Sequence, residues 1–444
     1  MREPVASAET PAEDGVALSR TVADLIDVGA RDFVDLGFLA PNGMLDVPVD
    51  AGHLRSIRLE LPPGHALALQ TARIDSSAGG DLVPDVRMSS SDDLDGQPLV
   101  PSRLFDLDHP TGTAFRTQAD RPAWAEFRLE PASPVSRIRL RNVIGETARD
   151  ARGLRITGKA RLRTHVLYDG AAQLHAWRRL VTAATAEAAS DPTALALLEV
   201  LALTVRGDYA RAHRSLVAHV DDEAQRRQFR ARVNEALLPA RGIEWTVHGP
   251  RRPFRTWSEA ERLDYVIHSA EVVDALRALT PDVCLGFGSV LSVVRDRALM
   301  PHDDDLDVII AFEATTAPTI ADGLRLIDRH LEPLGFEVSG EFATHRHVRR
   351  PGRQPVDVFV GIFEDDAIAW YPGARGGLTR AIVFPPVPAE LLGVPCLIPA
   401  QPETYLERLY GPGWRVPDPY FSHAWDRSAY ADIMGAADAS PSAT

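Results

Sequence analysis

The densest group of chemically competent side chains is the run Pro301-His302-Asp303-Asp304-Asp305-Leu306-Asp307, which leads directly into Val308-Ile309-Ile310. The apolar tail predicts a strand, and because side chains alternate along a strand, Asp303, Asp305 and Asp307 are expected on one face. Carboxylates gathered on one face repel each other unless a cation lies among them. Mg²⁺, or Mn²⁺ in its place, is the hard ion that suits such oxygen ligands. The simpler alternative is a solvated acidic turn before a strand.

A glycine-serine turn precedes this acidic run. The sequence V-C-L-G-F-G-S, from Val283, reads as a short buried strand that breaks at the glycines and Ser289, followed by a helix-compatible segment from Val290 to Arg297. A strand that ends in Gly-Ser and opens a helix leaves backbone N–H groups unpaired, and the helix dipole favours negative charge there. Gly288 and Ser289 are therefore predicted to bind phosphate.

A further carboxylate lies in the strand-like run Val356-Asp357-Val358-Phe359-Val360. An ionised aspartate in a buried strand is costly unless it meets a cation, so Asp357 is either a core residue paired with an arginine, a metal ligand, or both. A basic segment precedes it and could cover a pyrophosphate or an anionic acceptor, or could form a solvated edge. Its members are Arg346, His347, Arg349, Arg350 and Arg353.

The segment G-S-V-L-S-V-V-R-D-R-A-L-M-P-H-D-D-D-L-D resembles the signature of the LicD/fukutin-related family, which belongs to the nucleotidyltransferase-fold superfamily. Ser292 stands where that family usually has glycine, and His302 where it usually has tryptophan. The resemblance implies that Asp305, Asp307 and Asp357 are both metal ligands and catalytic residues, and that Asp357 could accept the acceptor's proton. The predicted substrate- and phosphate-binding set comprises Gly288, Ser289, Arg295, His302, Arg346 and Arg349.

The segment from Leu392 to Pro419 resembles the C-terminal block of the same family. Its matching residues are Tyr405, Tyr410, Gly411 and Trp414. The aromatic side chains could stack on the base or sugar of a nucleotide donor, or could serve core packing.

The overall charge bears on which partners the protein can take. A formal net charge of -14 over 444 residues argues against nucleic acid, because binding there depends on neutralising phosphates with lysine and arginine. The N-terminus has no apolar signal region, and no apolar run reaches the roughly 18 residues that a membrane span needs. The sequence therefore predicts a cytoplasmic protein without a transmembrane segment, free or peripheral to the inner membrane face.

The predicted architecture is multi-domain α+β. Short alternating runs bounded by Pro, Gly and Asp predict an antiparallel β-sandwich, and the strands between Ala125 and Leu162 are similar to those of galactose-binding-like jelly rolls. Such a sandwich binds carbohydrate or has a structural role. The predicted regions are a disordered segment or arm at 1–28, the sandwich at 29–165, a helical connector at 170–240, a nucleotidyltransferase-fold α/β domain at 255–435 and a disordered tail at 436–444.

The LicD-like resemblance implies a metal-dependent phosphotransferase. It would move a phosphate-linked group, such as phosphocholine or a polyol phosphate, from a CDP-activated donor to a glycan or lipid-linked glycan acceptor, as in the modification of lipopolysaccharide or teichoic acid at the cell surface. Two alternatives stay open. One is a nucleotidyltransferase that moves NMP from an NTP to a small molecule or protein, and the other is a carbohydrate-binding protein with an inactive catalytic fold.

Overall fold

The computed structural model describes residues 17–88, 104–105, 113–119, 122–340, 342–370, 374–421, 423 and 426–435. The chain is mixed α/β with several antiparallel sheets, and it divides into two units, Met1–Trp245 and Thr246–Thr444. The disorder predicted for residues 1–16 and 436–444 falls outside the described residues. Within the described ranges, no helix combines the length and apolar character needed to cross a membrane.

A single long strand organises the sheets of the first unit. The strands are β1 (Met44–Pro48), β2 (His53–Leu61), β3 (Ala68–Ser76), β4 (Asp81–Leu82), β5 (Asp85–Met88), β6 (Phe115–Arg116), β7 (Ala123–Asn142), β8 (Arg155–Lys159) and β9 (Thr164–Asp169). The first half of β7 pairs with β2 and β5, and its second half pairs with β1 and β3, always antiparallel. Two antiparallel sheets therefore share β7. Buried and less buried residues alternate along its first half, as expected when one face packs on a core.

Helices complete the first unit: α1 (Arg20–Asp32), α2 (Gly170–Glu187), α3 (Pro192–Val205), α4 (Tyr209–His219) and α5 (Glu223–Ala236). Trp177 of α2 and Phe229 of α5 belong to the same hydrophobic core as Leu45 and Ile57 of the strands. The helices predicted as a connector at 170–240 thus pack into the first unit with its sheets. Helix α1 covers the last part of the stretch predicted as a disordered segment or arm, and it buries Ile26 in this core.

Arg241 ties several parts of the first unit together. Its guanidinium donates hydrogen bonds to four backbone carbonyl oxygens and to one phenolic hydroxyl. The acceptors are Phe33, Val34, Thr204, Val205 and the Tyr209 side chain, at 2.8–3.3 Å. Because Phe33, Thr204 and Val205 lie at the C-terminal ends of α1 and α3, this one side chain links the ends of two helices.

The second unit contains the predicted catalytic segment. Its strands are β10 (Glu244–Thr246), which begins in the first unit, β11 (Gly249–Arg251), β12 (Val283–Leu285), β13 (Asp307–Glu313), β14 (Glu337–Ser339), β15 (His345–Arg349), β16 (Val356–Glu364), β17 (Ala367–Ala369), β18 (Val387–Leu391) and β19 (Val394–Ile398). Its helices are α6 (Glu259–Leu276), α7 (Phe287–Leu291), α8 (Ile320–Leu331), α9 (Arg380–Val383), α10 (Pro402–Tyr410) and α11 (Ala431–Met434). Ser258 and Glu261, in the spacing Ser-x-x-Glu, form a capping box at the start of α6.

The central sheet of this unit has the strand order β12-β13-β16-β15-β14, with β17 beside β16. Strands β13 and β16 are parallel, whereas the other pairs are antiparallel. Val308 and Ile310 of β13 pack on one face with residues of α6 and α8. Ile309 packs on the other face with Phe287 and Phe359. Both faces are covered, which explains the continuous apolar run after the aspartates.

Candidate functional site

Two of the predicted aspartates are direct neighbours in the central sheet. Asp307 is the first residue of β13, and it is the register partner of Asp357 on the parallel strand β16. Partners on adjacent strands point their side chains to the same face of a sheet. Asp305 precedes the strand by two residues, and its charge acts on both of these carboxylates. The structure thus brings Asp305, Asp307 and Asp357 together, with Asp303 beside them.

The glycine-serine turn holds Asp307. The Ser289 hydroxyl accepts a hydrogen bond of 2.7 Å from the Asp307 backbone N–H, and the Gly286 N–H donates to the Asp307 carbonyl at 2.9 Å. The Gly288 N–H donates to the Asp307 carboxylate, which acts against the rise in its pKa. A Cβ at Gly286 would lie only 2.4 Å from Ile309 Cγ2, so this glycine allows the turn to approach β13 closely.

The turn was predicted to bind phosphate through unpaired backbone N–H groups. In the structure these N–H groups already have partners within the protein. Phe287, at a φ of 42°, donates its N–H to the Tyr405 hydroxyl at 3.0 Å, and the Ser289 N–H donates to the Gly286 carbonyl. The segment predicted as a helix from Val290 to Arg297 is one α-helical turn, α7, followed by a π-helical turn at Ser292–Asp296. Gly288 and Ser289 therefore position a carboxylate in this structure.

The acidic group carries a large electrostatic cost. Burial, followed by the negative charge of Asp305, raises the pKa values of Asp303, Asp307 and Asp357 well above the usual range. The same two causes raise the pKa of Asp304 to about 6. Among the described residues, no arginine, lysine or histidine lies within 4.0 Å of the Asp307 carboxylate. A cation placed among these oxygens would relieve both the desolvation and the repulsion.

Two histidines flank Asp357 on the next strand. His347 of β15 is the register partner of Asp357, and its Nε2 lies 3.4 Å from Asp357 Oδ1. His345, two residues earlier on the same face, places its Nε2 3.8 Å from Asp357 Oδ2. One potential ligand atom from each of these three side chains lies within 4.8 Å of the others. Within the described residues, this is the compact group of ligands, whereas the three aspartates form a looser set.

The His345 ring is fixed from several sides. It stacks on Phe342 at a centroid distance of 4.3 Å and on Phe359 at 4.6 Å, and its Nδ1 is 3.0 Å from the Thr344 hydroxyl. Burial, with a smaller contribution from His347, lowers the pKa of His345 to about 3, and burial also lowers the pKa of His347. Both imidazoles are therefore neutral at pH 7.

The predicted phosphate-binding arginines are engaged elsewhere. Arg346 pairs with Asp328 of α8 at 3.0 Å, and its register partner Val358 belongs to the opposite face of the sheet from Asp357. Arg349 pairs with Glu337 on β14 at 2.7 Å. Arg346 therefore lies on the other face of the sheet, whereas Arg349, two residues after His347, shares the face of Asp357 but pairs with Glu337.

Arg295 and His302 lie close enough for the charge of the arginine to act on the imidazole. Arg295 is nearly buried and donates to Asp296 at 2.8 Å and to the Trp414 carbonyl at 3.2 Å. Burial and the positive charges of Arg295 and Arg255 lower the pKa of His302. Arg295 therefore links the turn to the segment around Trp414.

The segment from Thr246 to Arg251 lies between the regions predicted as the helical connector and the α/β domain, and it contributes further groups to the site. Thr246 donates a hydrogen bond of 3.3 Å to Asp304, His248 Nε2 lies 3.8 Å from Asp305 Oδ2, and Arg251 lies 3.9 Å from Asp304. The charge of Arg251 also acts on Asp357. No local pattern marks these residues. The alternation in His345-Arg346-His347, by contrast, was a readable signal that two imidazoles share a face with Asp357.

Buried tyrosines contact the segments that carry the aspartates. The Tyr265 hydroxyl accepts a hydrogen bond from the Leu306 N–H at 3.0 Å and donates to the Pro355 carbonyl at 2.6 Å, linking the segments that carry Asp305 and Asp357. Tyr405 is fully buried, and Tyr410 is close enough to Asp307 and Asp303 for their charges to raise its pKa, after burial. Tyr405 and Trp414 serve core packing.

The donor atoms decide which ion suits each side of the site. Asp305, Asp307 and Asp357 offer carboxylate oxygens alone, the ligand type that Mg²⁺ and Mn²⁺ accept readily. Because the Asp307 carboxylate has no cationic neighbour within 4.0 Å among the described residues, the residues fit a bound divalent cation. No protein-family model matches the sequence, and no curated protein is significantly similar to it.

Proposed function

We propose that this protein is a LicD-like, metal-dependent transferase. It moves a phosphate-linked group, such as phosphocholine or a polyol phosphate, from a CDP-activated donor to a hydroxyl of a glycan or lipid-linked glycan. The observation that carries the proposal is the register pairing of Asp307 with Asp357 on adjacent parallel strands, with Asp305 two residues before the first of them. Carboxylates in this arrangement are suited to phosphoryl transfer because that reaction depends on neutralising charge on the donor.

The residues of the chain divide into ligands, orienting groups and donor contacts. Asp305, Asp307 and Asp357 would hold Mg²⁺. When bound, divalent ions neutralise phosphate oxygens and align the attacking and leaving oxygens. Gly288 and Ser289 would fix the orientation of Asp307 through the hydrogen bonds described above. Arg251 is the arginine whose charge reaches Asp304 and Asp357, and we assign it to the donor phosphates.

The test is a donor screen with purified protein and Mg²⁺ or Mn²⁺, following release of CMP or pyrophosphate. We expect CMP release from a CDP-linked alcohol in the presence of a glycan acceptor. Asp307→Asn and Asp357→Asn should each lower kcat by about 100-fold or more, because each removes a ligand charge. The control is Asp274→Asn, an exposed position on α6, which should keep full activity.

The outcomes separate the rival functions. Pyrophosphate release from an NTP, with CDP-linked donors inert, would favour nucleotidyl transfer. No release from either donor class, with glycan binding intact, would favour a binding protein. Arg251→Ala should raise the KM for the donor by about 10-fold, whereas Arg349→Ala, whose partner is Glu337, should leave it unchanged.

We also propose that the two sheets sharing β7 form a galactose-binding-like sandwich that recognises the glycan. The antiparallel pairing and the alternating burial along β7 support this assignment. The test is glycan binding by full-length Asp307→Asn protein, in which turnover is removed but the first unit is unchanged. Absence of binding to any glycan that serves as acceptor would leave the sheets with a structural role.

A further inference from the structure

The two histidines beside Asp357 have a geometry that hydrogen bonding does not explain. The two Nε2 to carboxylate oxygen distances are 3.4 Å from His347 and 3.8 Å from His345. An N–H···O hydrogen bond to a carboxylate spans about 2.7–3.2 Å, so neither contact is one. Two ligand atoms on one tetrahedral ion, each about 2.0–2.2 Å from it, lie about 3.4 Å apart. The His347 distance matches this spacing. The His345 distance runs to the other oxygen of Asp357, and one potential ligand atom from each of the three side chains lies within 4.8 Å of the others.

The surroundings of His345 prepare it for this role. Its Nδ1 is 3.0 Å from the hydroxyl of Thr344, a buried residue, and a proton on Nδ1 donated to that oxygen leaves the lone pair on Nε2, which faces Asp357. Metal-binding histidines are commonly fixed in this way by a partner on the other ring nitrogen. The flanking rings of Phe342 and Phe359 hold the imidazole plane.

We propose that His345, His347 and Asp357 bind a divalent transition-metal ion of the Zn²⁺ class. The site is distinct from the all-carboxylate set of Asp305 and Asp307, although it shares Asp357. Two imidazole nitrogens and one carboxylate select borderline ions, because Mg²⁺ and Ca²⁺ prefer oxygen ligands. The three side chains leave room for a fourth ligand, which is the arrangement of zinc sites that keep an open position.

The test is titration of chelator-treated full-length protein with Co²⁺, whose visible absorption reports its ligands, followed by competition with Zn²⁺. We expect one Co²⁺ to bind per chain, to be displaced by Zn²⁺, and to be retained in millimolar Mg²⁺. His347→Ala should weaken binding by about 100-fold or more. His345→Phe should do the same, and because it preserves the stack between Phe342 and Phe359 it serves as the variant that keeps the packing.

Two controls keep the result interpretable. His175→Ala, at an exposed position on α2, should leave the Co²⁺ spectrum unchanged. Asp305→Asn should also keep the spectrum, although it is expected to abolish transfer activity. Unaltered Co²⁺ binding in both His345→Phe and His347→Ala, or equal displacement by Mg²⁺, would overturn the assignment. Absence of turnover with any donor, together with histidine-dependent Co²⁺ binding, would sink the transferase proposal alone.

Discussion

At the scale of single residues, the ionised carboxylates of the candidate site raise the free energy of the folded protein, and a bound cation would offset this cost. Asp303, Asp307 and Asp357 each have a raised pKa because they are largely removed from solvent next to other carboxylates. Each ionised form therefore costs free energy in the metal-free protein. Proteins keep such unfavourable carboxylates at sites where a bound ligand or ion offsets the electrostatic free energy. The raised pKa values therefore favour a functional role for these aspartates.

Asp304 gives this cost a measurable pH dependence. Its pKa is raised from 3.8 to about 6, first by burial and then by Asp305. Between these two pH values the folded state therefore holds a proton that the unfolded state has released. The resulting stabilisation is present below pH 3.8 and is lost as the pH rises through about 6. We expect Asp304→Asn to stabilise metal-free protein by on the order of 2 kcal/mol above this window and to have little effect below it.

The measurement is thermal unfolding of chelator-treated wild type and Asp304→Asn across the pH range. The difference in midpoint should shrink as the pH falls through the raised pKa. A difference that stays constant with pH would mean that Asp304 does not titrate in this way. Addition of Mg²⁺ at neutral pH should also reduce the difference, because a cation offsets the same repulsion.

At the scale of elements, the sequence was informative where the pattern is local. The apolar run of β13, the capping box of α6 and the buried strand around Asp357 all follow from side-chain types at fixed spacing. The contacts of Arg346 and Arg349 did not follow, because Asp328 and Glu337 reach them only through sheet pairing and helix packing.

The site shows the same division. Asp305 and Asp307 can be recognised in the sequence because they belong to an acidic run. Thr246, His248 and Arg251 come from a segment with the composition of a linker. Only the tertiary fold brings these residues close to the aspartates. The π-helical turn after α7 has no periodic signature either, since five residues are too few to define a period.

The close approach of the turn to β13 can be tested at Gly286. Its backbone is in an ordinary extended conformation, so the cost of Gly286→Ala is steric: the new Cβ would meet Ile309 Cγ2 at 2.4 Å. We expect a loss of about 1–3 kcal/mol in unfolding free energy, because a buried strand side chain or the turn must move. The loss of kcat should exceed what the loss of stability explains, because the hydrogen bonds from this turn orient Asp307.

The matched control is Gly413→Ala, where a Cβ would have no neighbour within 4 Å. Chemical denaturation gives the stability of both variants, and kcat at a temperature well below the midpoint gives the effect on orientation. Equal behaviour of the two alanine variants would show that the turn has room to relax.

At the scale of the whole molecule, each unit is held by its own core. The first unit's core joins its sheets to α1–α5, whereas the second unit's central sheet has apolar clusters on both faces. The candidate site uses residues of the second unit alone. A perturbation of the first core should therefore change stability without changing the chemistry of metal binding.

Arg241 provides that perturbation, because its guanidinium donates to four carbonyl groups and the Tyr209 hydroxyl within the first unit. Arg241→Ala removes all five hydrogen bonds, although the Phe33 and Thr204 carbonyls keep backbone donors, and it should lower the unfolding free energy of that unit by about 3 kcal/mol. Calorimetry should show a lower unfolding temperature for the variant. The increase in unfolding temperature on adding Mg²⁺ should be the same as in the wild type. Arg241→Lys, which keeps the charge but not the planar fork of donors, should recover only part of the loss. If Arg241→Ala abolished the Mg²⁺-dependent shift, metal binding would depend on the first unit, and a site confined to the second unit would be insufficient.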